Sequence, residues 1–488
     1  MKKALLTLLI CPLFCIGQSK KIDLKEAITL SQKKSLEYQS AVNRFRSSYW
    51  RYRVYKAGFL PQVRLSSTLP NYTERVDQIP LDDGTNTPIY RTTTNTDVRL
   101  FISQNVGFTG GTFSISSSLN KNQTNASDTN TNINYNYTPY SISYSQNTLF
   151  YNRFKWDRKI EPLLNEESKR NFIESMERIS LIACNQYFDL LKLQIRARIV
   201  ASNFANSDTL YQISKGRFNS GKIAENDLLR MELRYLNSKN DVTNNAIALK
   251  KASQDLALYL GIQTENLELE IPENLELFEV TISKALEEAK NNRKSIIEFR
   301  RRRLQAEQEL ARVKGTNRLS LSVNANFGLS ANSQTGIKDA FNDYNRQQGI
   351  ALRIAAPIFD WGVSKSERKI AEANLDLENT NIKQDQRNFE QEIELHVLNW
   401  SNQRNLLSIS KKAQEIAIKS YEITQKRYIL GKIQITDLNI SLEEKDRAIL
   451  NYLNSLSRFW SDYYTLRRLT LYDFILNKRI TTEDIIFN

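Results

Sequence analysis

Apolar side chains recur along this chain with two periods. Val63, Leu65 and Leu69 fall on alternate positions, as do Val98, Leu100 and Ile102, then Phe113, Ile115 and Leu119, then Tyr140, Ile142 and Tyr144. Such alternation predicts strands with one apolar face. Between them, residues 71–96 and 120–139 are dominated by Thr, Asn and other polar types and read as loops, while GFTGG (Gly107–Gly111) reads as a tight turn. A helical segment precedes these four strands, from Ile22 to Gly58, and Pro61 stops it. The alternation returns over Leu319, Leu321, Val323, Ala325, Phe327 and Leu329, and again over Ile350, Leu352, Ile354 and Ala356, with a polar loop at 330–347. Six strands are therefore expected, each about ten residues long, separated alternately by short turns and long loops, as outer-membrane strands are.

The second period is helical. Phe172, Met176, Ile179, Ala183, Tyr187 and Leu190 recur at spacings of three and four, a narrow stripe of coiled-coil type. It predicts a helix from about Pro162 to Ser220, and a second that runs to Leu260 and ends at Gly261. Phe389, Ile393, Val397 and Trp400 mark a third helix, entered through PIFDWG (Pro357–Gly362), and a fourth runs from about Leu438 to Tyr472. Short apolar runs around Pro272 predict a small strand and turn. The aromatics Phe150, Tyr151, Phe154 and Trp156 fit either an interfacial girdle or ordinary core packing.

The helical half is written twice. Tyr211–Leu228 (YQISKGRFNSGKIAENDL) and Tyr421–Leu438 (YEITQKRYILGKIQITDL) align without a gap and share eight of their eighteen positions. Average composition would give about one. VTISKALEEAKNNRKS from Val280 likewise echoes IDLKEAITLSQKKS from Ile22, and Lys314 stands where Lys56 stood. The chain thus reads as two copies of one unit, 18–275 and 276–473, with a tail at 474–488. Each matched stretch reads as the tip of a helical hairpin. Gly221 and Gly431 supply the left-handed residue that ends a helix. Asn226 and Thr436 are the expected N-caps, and Asp227 and Asp437 fall in the next first turn, where negative charge suits the helix dipole. Arg217, Lys222, Arg427 and Lys432 surround the two turns and are placed to satisfy the last carbonyls.

Composition narrows the class. Of 488 residues, 40% are hydrophobic and 25% charged, which is globular rather than disordered; only 15 Gly and 9 Pro favour long unbroken elements. The net charge of +14 is spread along helices, which predicts solvated faces rather than a nucleic-acid surface. Residues 1–17 read as a signal peptide, with Lys2 and Lys3 before the apolar run Ala4–Ile16, small residues Cys15 and Gly17, and a cut before Gln18. Cys184 is then the only cysteine left, so no intrachain disulfide is expected. No later segment is apolar enough to span a bilayer as a helix, so insertion would require a closed barrel. His396, the single histidine, reads as a packing residue rather than a ligand. There is no phosphate loop, nucleophile elbow or HExxH. No enzyme activity, cofactor or metal is expected.

Taken together the pattern resembles the TolC-like outer membrane efflux protein family, over nearly the whole mature chain. The most specific motifs are PIFDWG, with Pro357 and Gly362 bounding the family's strand-to-helix turn, and RYILGKIQITDL (Arg427–Leu438), its periplasmic tip. The resemblance implies an α+β membrane protein in the cell outer membrane. Three identical chains would form a β-barrel continued by a long periplasmic α-helical barrel. It implies a passive exit duct of a tripartite efflux or secretion system, fed by an inner-membrane transporter through a periplasmic adaptor (membrane fusion) protein, without nucleic acid. Arg217, Gly221, Lys222, Arg427, Gly431 and Lys432 would dock the adaptor, and Asp227 and Asp437 would ring the entrance. Two features depart from the family. Ile440 replaces a second acidic residue one turn after Asp437, leaving Glu225, Asp227 and Asp437 as the acidic ring. Six strands stand where the family has four, so the extra hairpin either widens the barrel or forms a flap. A stand-alone porin or adhesin is the alternative, and it leaves the duplicated helices unused.

Overall fold

The computed structural model describes residues 20–80, 84–126, 129–263, 267–272, 278–317, 319–430 and 432–481; the expected leader and Gly431 lie outside them. In chain order the elements are β1 (Lys20–Ile22), α1 (Leu24–Lys34), α2 (Leu36–Ala57), β2 (Gln62–Pro80), β3 (Asn86–Val106), β4 (Gly111–Ala126), β5 (Thr129–Gln146), α3 (Arg153–Asn219) and α4 (Glu225–Leu260). There follow β6 (Leu267–Leu269), α5 (Ile282–Asn292), α6 (Lys294–Thr316), β7 (Ser320–Ser333), β8 (Asn345–Ala355), α7 (Val363–Ile429), α8 (Ile435–Thr470), β9 (Tyr472–Asp473) and β10 (Lys478–Arg479). Among the described residues no helix is long and apolar enough to cross a membrane.

The duplication extends to element boundaries. α3 and α7 have the same length, 67 residues, and α4 and α8 both have 36 residues. Each of their four boundaries recurs at the offset that relates the two tips: Arg153 to Val363, Asn219 to Ile429, Glu225 to Ile435, Leu260 to Thr470. The front of the unit repeats at a larger offset. α1 and α5 both have 11 residues, starting at Leu24 and Ile282, and β2 and β7 start at Gln62 and Ser320. The expected single helix from Ile22 to Gly58 is in fact two, broken at Ser35 (ψ 151°), whose hydroxyl accepts the Tyr38 N–H at 3.0 Å. The same break recurs at Arg293 (ψ 146°), between α5 and α6.

The chain folds as two compact units, each drawing on both repeats. One is Met1–Phe45, Lys169–Lys294 and Gln386–Asn488; the other is Arg46–Ser168 and Ser295–Asp385. In the first, Tyr187, Phe188, Leu190 and Leu191 of α3 are buried with Trp400 of α7 and Leu456 and Phe459 of α8. The parallel pair β1–β6 joins the two ends of the first repeat, and the Tyr187 hydroxyl sits 3.1 and 2.5 Å from the carbonyl oxygens of Ile22 and Glu270 beside it. Arg467 forks onto buried Glu177 at 2.9 and 3.0 Å and reaches Asp473 at 3.0 Å. A buried charge persists only when paired in this way.

The second unit carries an antiparallel sheet in the order β2-β3-β4-β5-β7-β8. The six expected strands are all present and form one layer. One register row reads Val63, Ile102, Ile115, Ile142, Phe327 and Gln348; the adjacent row reads Gln62, Ser103, Ser114, Ser143, Asn326 and Gly349. Neighbouring rows face opposite sides, so the sheet has an apolar face and a polar one, and the polar face also carries Arg64, Asp97, Arg99 and Arg353. Hydroxyl and amide groups knit the polar face, with Ser114 and Ser143 2.7 Å apart and Ser145 donating to Asn324 at 2.9 Å.

Three expectations are corrected here. Much of the stretches at 71–96 and 120–139 is strand rather than loop, and β8 starts at Asn345 inside the expected loop at 330–347. In β3 and β4 the rows on both faces are polar there, as in the pairs Asn95–Asn122 and Thr94–Gln123, so these strands lose the alternation while the ladder continues. The first long helix begins at Arg153, not Pro162. Asn152 caps it, accepting the Lys155 N–H at 3.1 Å, and Pro162 lies inside it. Phe154 therefore belongs to the first helical turn and packs edge-on against Phe59, 5.5 Å between ring centres.

Candidate functional site

The repeated tips lie within the first unit. α3 ends at Asn219, and Gly221 takes φ +68°. The Lys222 N–H donates to the Arg217 carbonyl at 2.9 Å, and the Gly221 N–H to the Phe218 carbonyl at 2.8 Å. This is the six-to-one closure of a helix that ends in a left-handed residue. In the second tip the Lys432 N–H donates to the Arg427 carbonyl at 3.0 Å in the same way. Backbone groups thus satisfy these carbonyls, and the side chains of Lys222, Arg427 and Lys432 are left on the surface.

The helices after the tips start two residues earlier than the cap preferences suggest. The N-caps are Ala224 and Gln434, so Asn226 and Thr436 lie inside the first turn. The two matched aspartates then differ. Asp437 completes a capping box, its carboxylate accepting the Gln434 N–H at 3.3 Å. Asp227 follows a cap residue with no side-chain hydrogen bond and shares the first turn with Glu225.

Aromatic side chains bring the tips together. The Arg217 guanidinium stands 5.7 Å from the ring centre of Tyr428, which is buried with Tyr421, Leu438 and Leu442. Tyr211 stacks on Tyr235 at 5.8 Å, and at the matched positions Tyr421 lies under the Lys445 ammonium at 4.3 Å. One repeat position therefore supports its tyrosine by ring stacking and the other by cation–π attraction. Asn203 donates to the Asp446 carboxylate at 2.6 Å, and Arg234 hydrogen-bonds Asn439. Sequence reasoning missed the ties of Arg217 to Tyr428, Asn203 to Asp446 and Arg234 to Asn439 because their partners lie in different repeats. It also missed the apolar rim: Phe218, Ile429 and Leu430 are 37%, 64% and 68% exposed. Apolar stripes are also uncovered on α4 (Leu229, Leu233, Leu236) and on α7 (Ile409, Ile416, Ile423), at helical spacing.

At the strand-to-helix turn the sheet unit carries the PIFDWG motif. The Asp360 carboxylate accepts the N–H groups of Gly362 at 3.0 Å and Ser364 at 2.9 Å, capping α7. Hydrogen bonds from Ser364 and then from these backbone groups hold its carboxyl below the usual range. Trp361 and Gly362 both take positive φ (51° and 87°), and Ile358, Phe359 and Trp361 stand out into solvent. The sequence reading took Pro357 and Gly362 as the turn but missed Asp360 as its cap. Among the described residues no cluster of His, Cys, Asp and Glu is arranged to hold a metal, and His396 Nε2 lies 2.8 Å from the Asp462 carbonyl oxygen.

Residues 282–458 match the family model described as outer membrane efflux protein. No curated protein sequence matches the chain significantly. A membrane protein from Pseudomonas aeruginosa has the same fold at 11% identity, with a TM-score of 0.65 over 92% of this chain and 90% of that one. The Campylobacter jejuni CmeC outer membrane channel gives 0.65 at 13% identity over 92% and 85%. The outer membrane protein VceC from Vibrio cholerae gives 0.62 at 14% identity over 94% and 96%. The match to the family model begins at the first residue of α5, and the shared fold covers nearly the whole chain.

Proposed function

We propose that this chain, whose second repeat matches the outer membrane efflux protein family, is one subunit of a homotrimeric exit duct. Its sheet would sit in the outer membrane and its long helices would line a periplasmic conduit. The observation that carries this reading is the open amphipathic sheet. Among the described residues β2 pairs only with β3 and β8 only with β7. Unpaired strand edges are untenable in lipid. β2 and β8 run in opposite directions, so β8 of one copy can join β2 of the next and keep every pairing antiparallel. Repetition of that join closes a barrel, apolar outside and polar inside. The stripes on α4 and α7 are the surfaces an adjacent copy would cover.

On this reading the duct itself does no work. Cargo is delivered by an inner-membrane transporter through a periplasmic adaptor. The adaptor meets the tips at Arg217, Gly221, Lys222, Arg427, Gly431 and Lys432. The apolar side chains Phe218, Ile429 and Leu430 add a desolvated patch to that contact. Asp227 and Asp437, with Glu225, would form an acidic ring at the entrance that attracts cations. The repeat boundaries 18–275 and 276–473 describe two subunit halves, each bringing a helical hairpin to the conduit wall. An export assay in a deletion strain, paired with co-purification of the adaptor, tests this. Complementation by the intact chain but not by a Lys222→Glu/Lys432→Glu variant that still forms trimers supports it. Channel activity with no adaptor recovered and no export defect would favour a stand-alone porin.

A further inference from the structure

The internal repeat has two offsets. Elements before the sheet recur at the larger one, Leu24 to Ile282, and elements after it at the smaller one, Arg153 to Val363. The first repeat therefore holds an extra stretch, long enough for two strands and their turns, with no counterpart in the second. Matching β2 to β7 at the larger offset and β5 to β8 at the smaller leaves β3 and β4 as the unmatched pair. A repeat without this hairpin contributes two strands; the first repeat contributes four.

We infer that the β3–β4 hairpin is an integral part of the membrane wall, so that three copies close an eighteen-stranded barrel rather than one of twelve. The inference rests on the trimeric exit-duct reading above and deepens it by setting the width of the pore. Its first support is register. β3 pairs with β2 from Gln62↔Ser103 to Pro80↔Asn86, and β4 pairs with β5 from Thr112↔Ser145 to Ala126↔Thr129. The hairpin therefore lies between the two strands that a shorter repeat would place side by side. Its second support is facing. Ile102 and Ile115 continue the apolar row from Val63 to Ile142, and Ser103 and Ser114 continue the polar row. A flap outside the wall would not need to repeat the lipid-facing and water-facing pattern of its neighbours.

The third support is the turn. Asn105 donates to the Gly58 carbonyl at 2.9 Å, Gln146 to the Thr109 carbonyl at 2.7 Å, and Asn152 to the carbonyls of Gly107 and Phe108 at 3.1 and 3.0 Å. The hairpin base is thus tied both to the end of α2 and to the cap of α3. A Cβ on Gly111 would come within 2.5 Å of the Tyr144 hydroxyl, a closeness that only glycine permits. Barrel diameter grows roughly in proportion to strand number, so the pore would be about one and a half times as wide as a twelve-stranded one. Neutral hydroxyl and amide side chains line most of the hairpin's share of it.

The test is the distance between spin labels at Phe327→Cys on β7 in the intact trimer. With strands about 4.8 Å apart and tilted about 40°, threefold-related labels stand about 30 Å apart in an eighteen-stranded barrel and about 20 Å apart in a twelve-stranded one. Ile350→Cys on β8, 84% exposed in one chain, replaces Phe327→Cys if that variant does not fold. The longer distance is expected, with Ser114→Cys open to an aqueous thiol reagent and Ile115→Cys shielded. The shorter distance, with both hairpin cysteines labelled, makes the hairpin a flap; it overturns the inference and leaves the exit-duct reading standing. The absence of any ordered threefold distance overturns both.

Discussion

Arg217 and Tyr428 belong to different repeats, yet the guanidinium of one rests 5.7 Å from the ring centre of the other. The two tips are thereby linked through a residue pair that the duplication alone would not produce, since Phe218 stands at the position matching Tyr428. Arg217→Ala removes a cation–π contact worth about 0.5–2 kcal/mol. Tyr428→Ala also empties a buried site and should cost about 3–5 kcal/mol. Limited proteolysis of the trimer should show faster cleavage near the tips in both, more in Tyr428→Ala. Equal resistance in all three proteins would mean that the pair does not hold the tips.

Gly221 offers a cleaner backbone test. Nothing lies within 4 Å of an added Cβ, so only its positive φ opposes substitution. Gly221→Ala should cost about 1–2 kcal/mol, and Gly221→Asn less, because asparagine tolerates this conformation. Hydrogen exchange at Lys222, whose N–H closes the turn, is the appropriate readout. Identical protection in wild type and Gly221→Ala would contradict the account.

The matched aspartates separate a cap from an entrance charge. Asp437→Ala removes the N3 half of the capping box and should cost about 0.3–1.5 kcal/mol. Asp437→Asn keeps a hydrogen-bond acceptor near the Gln434 N–H and removes only the charge. If Asp437 lines the entrance, Asp437→Asn lowers cation selectivity in single-channel recordings with little change in melting temperature. Unaltered selectivity in an Asp227→Asn/Asp437→Asn double variant would leave both residues as parts of the helix starts.

The buried cluster around Arg467 should be intolerant. Arg467→Met strands Glu177, which is 1% exposed, and leaves Asp473 without its cation. Removal of one partner of a buried pair costs about 3–5 kcal/mol. Glu177→Gln, which leaves Arg467 with Asp473, should cost less. Thermal melting in detergent gives the order, and a reversed order would show that Glu177 does not depend on Arg467.

What the sequence made legible follows from how each feature is written in it. The hairpin helices were readable because burial against one partner imposes a periodic stripe, as at Phe172, Met176 and Ile179, all buried. The apolar part of the sheet was readable for the same reason at period two. The polar ends of the strands were not. Thr93 pairs with Thr124 and Asn122 with Asn134 through backbone hydrogen bonds that need no alternation. The helix starts at Ala224 and Gln434 were misplaced because better cap residues stand two positions later. The turn at Gly221 was legible from glycine alone. The tie from Arg217 to Tyr428 was not, because it depends on packing between the repeats.

The central claim is that one chain supplies an open wall segment which only other copies can close. Native mass measurement of the full protein extracted in mild detergent tests it most directly, with channel activity recorded on the same sample. The account predicts a single species of three chains that conducts. A monodisperse single chain with intact conductance would contradict it.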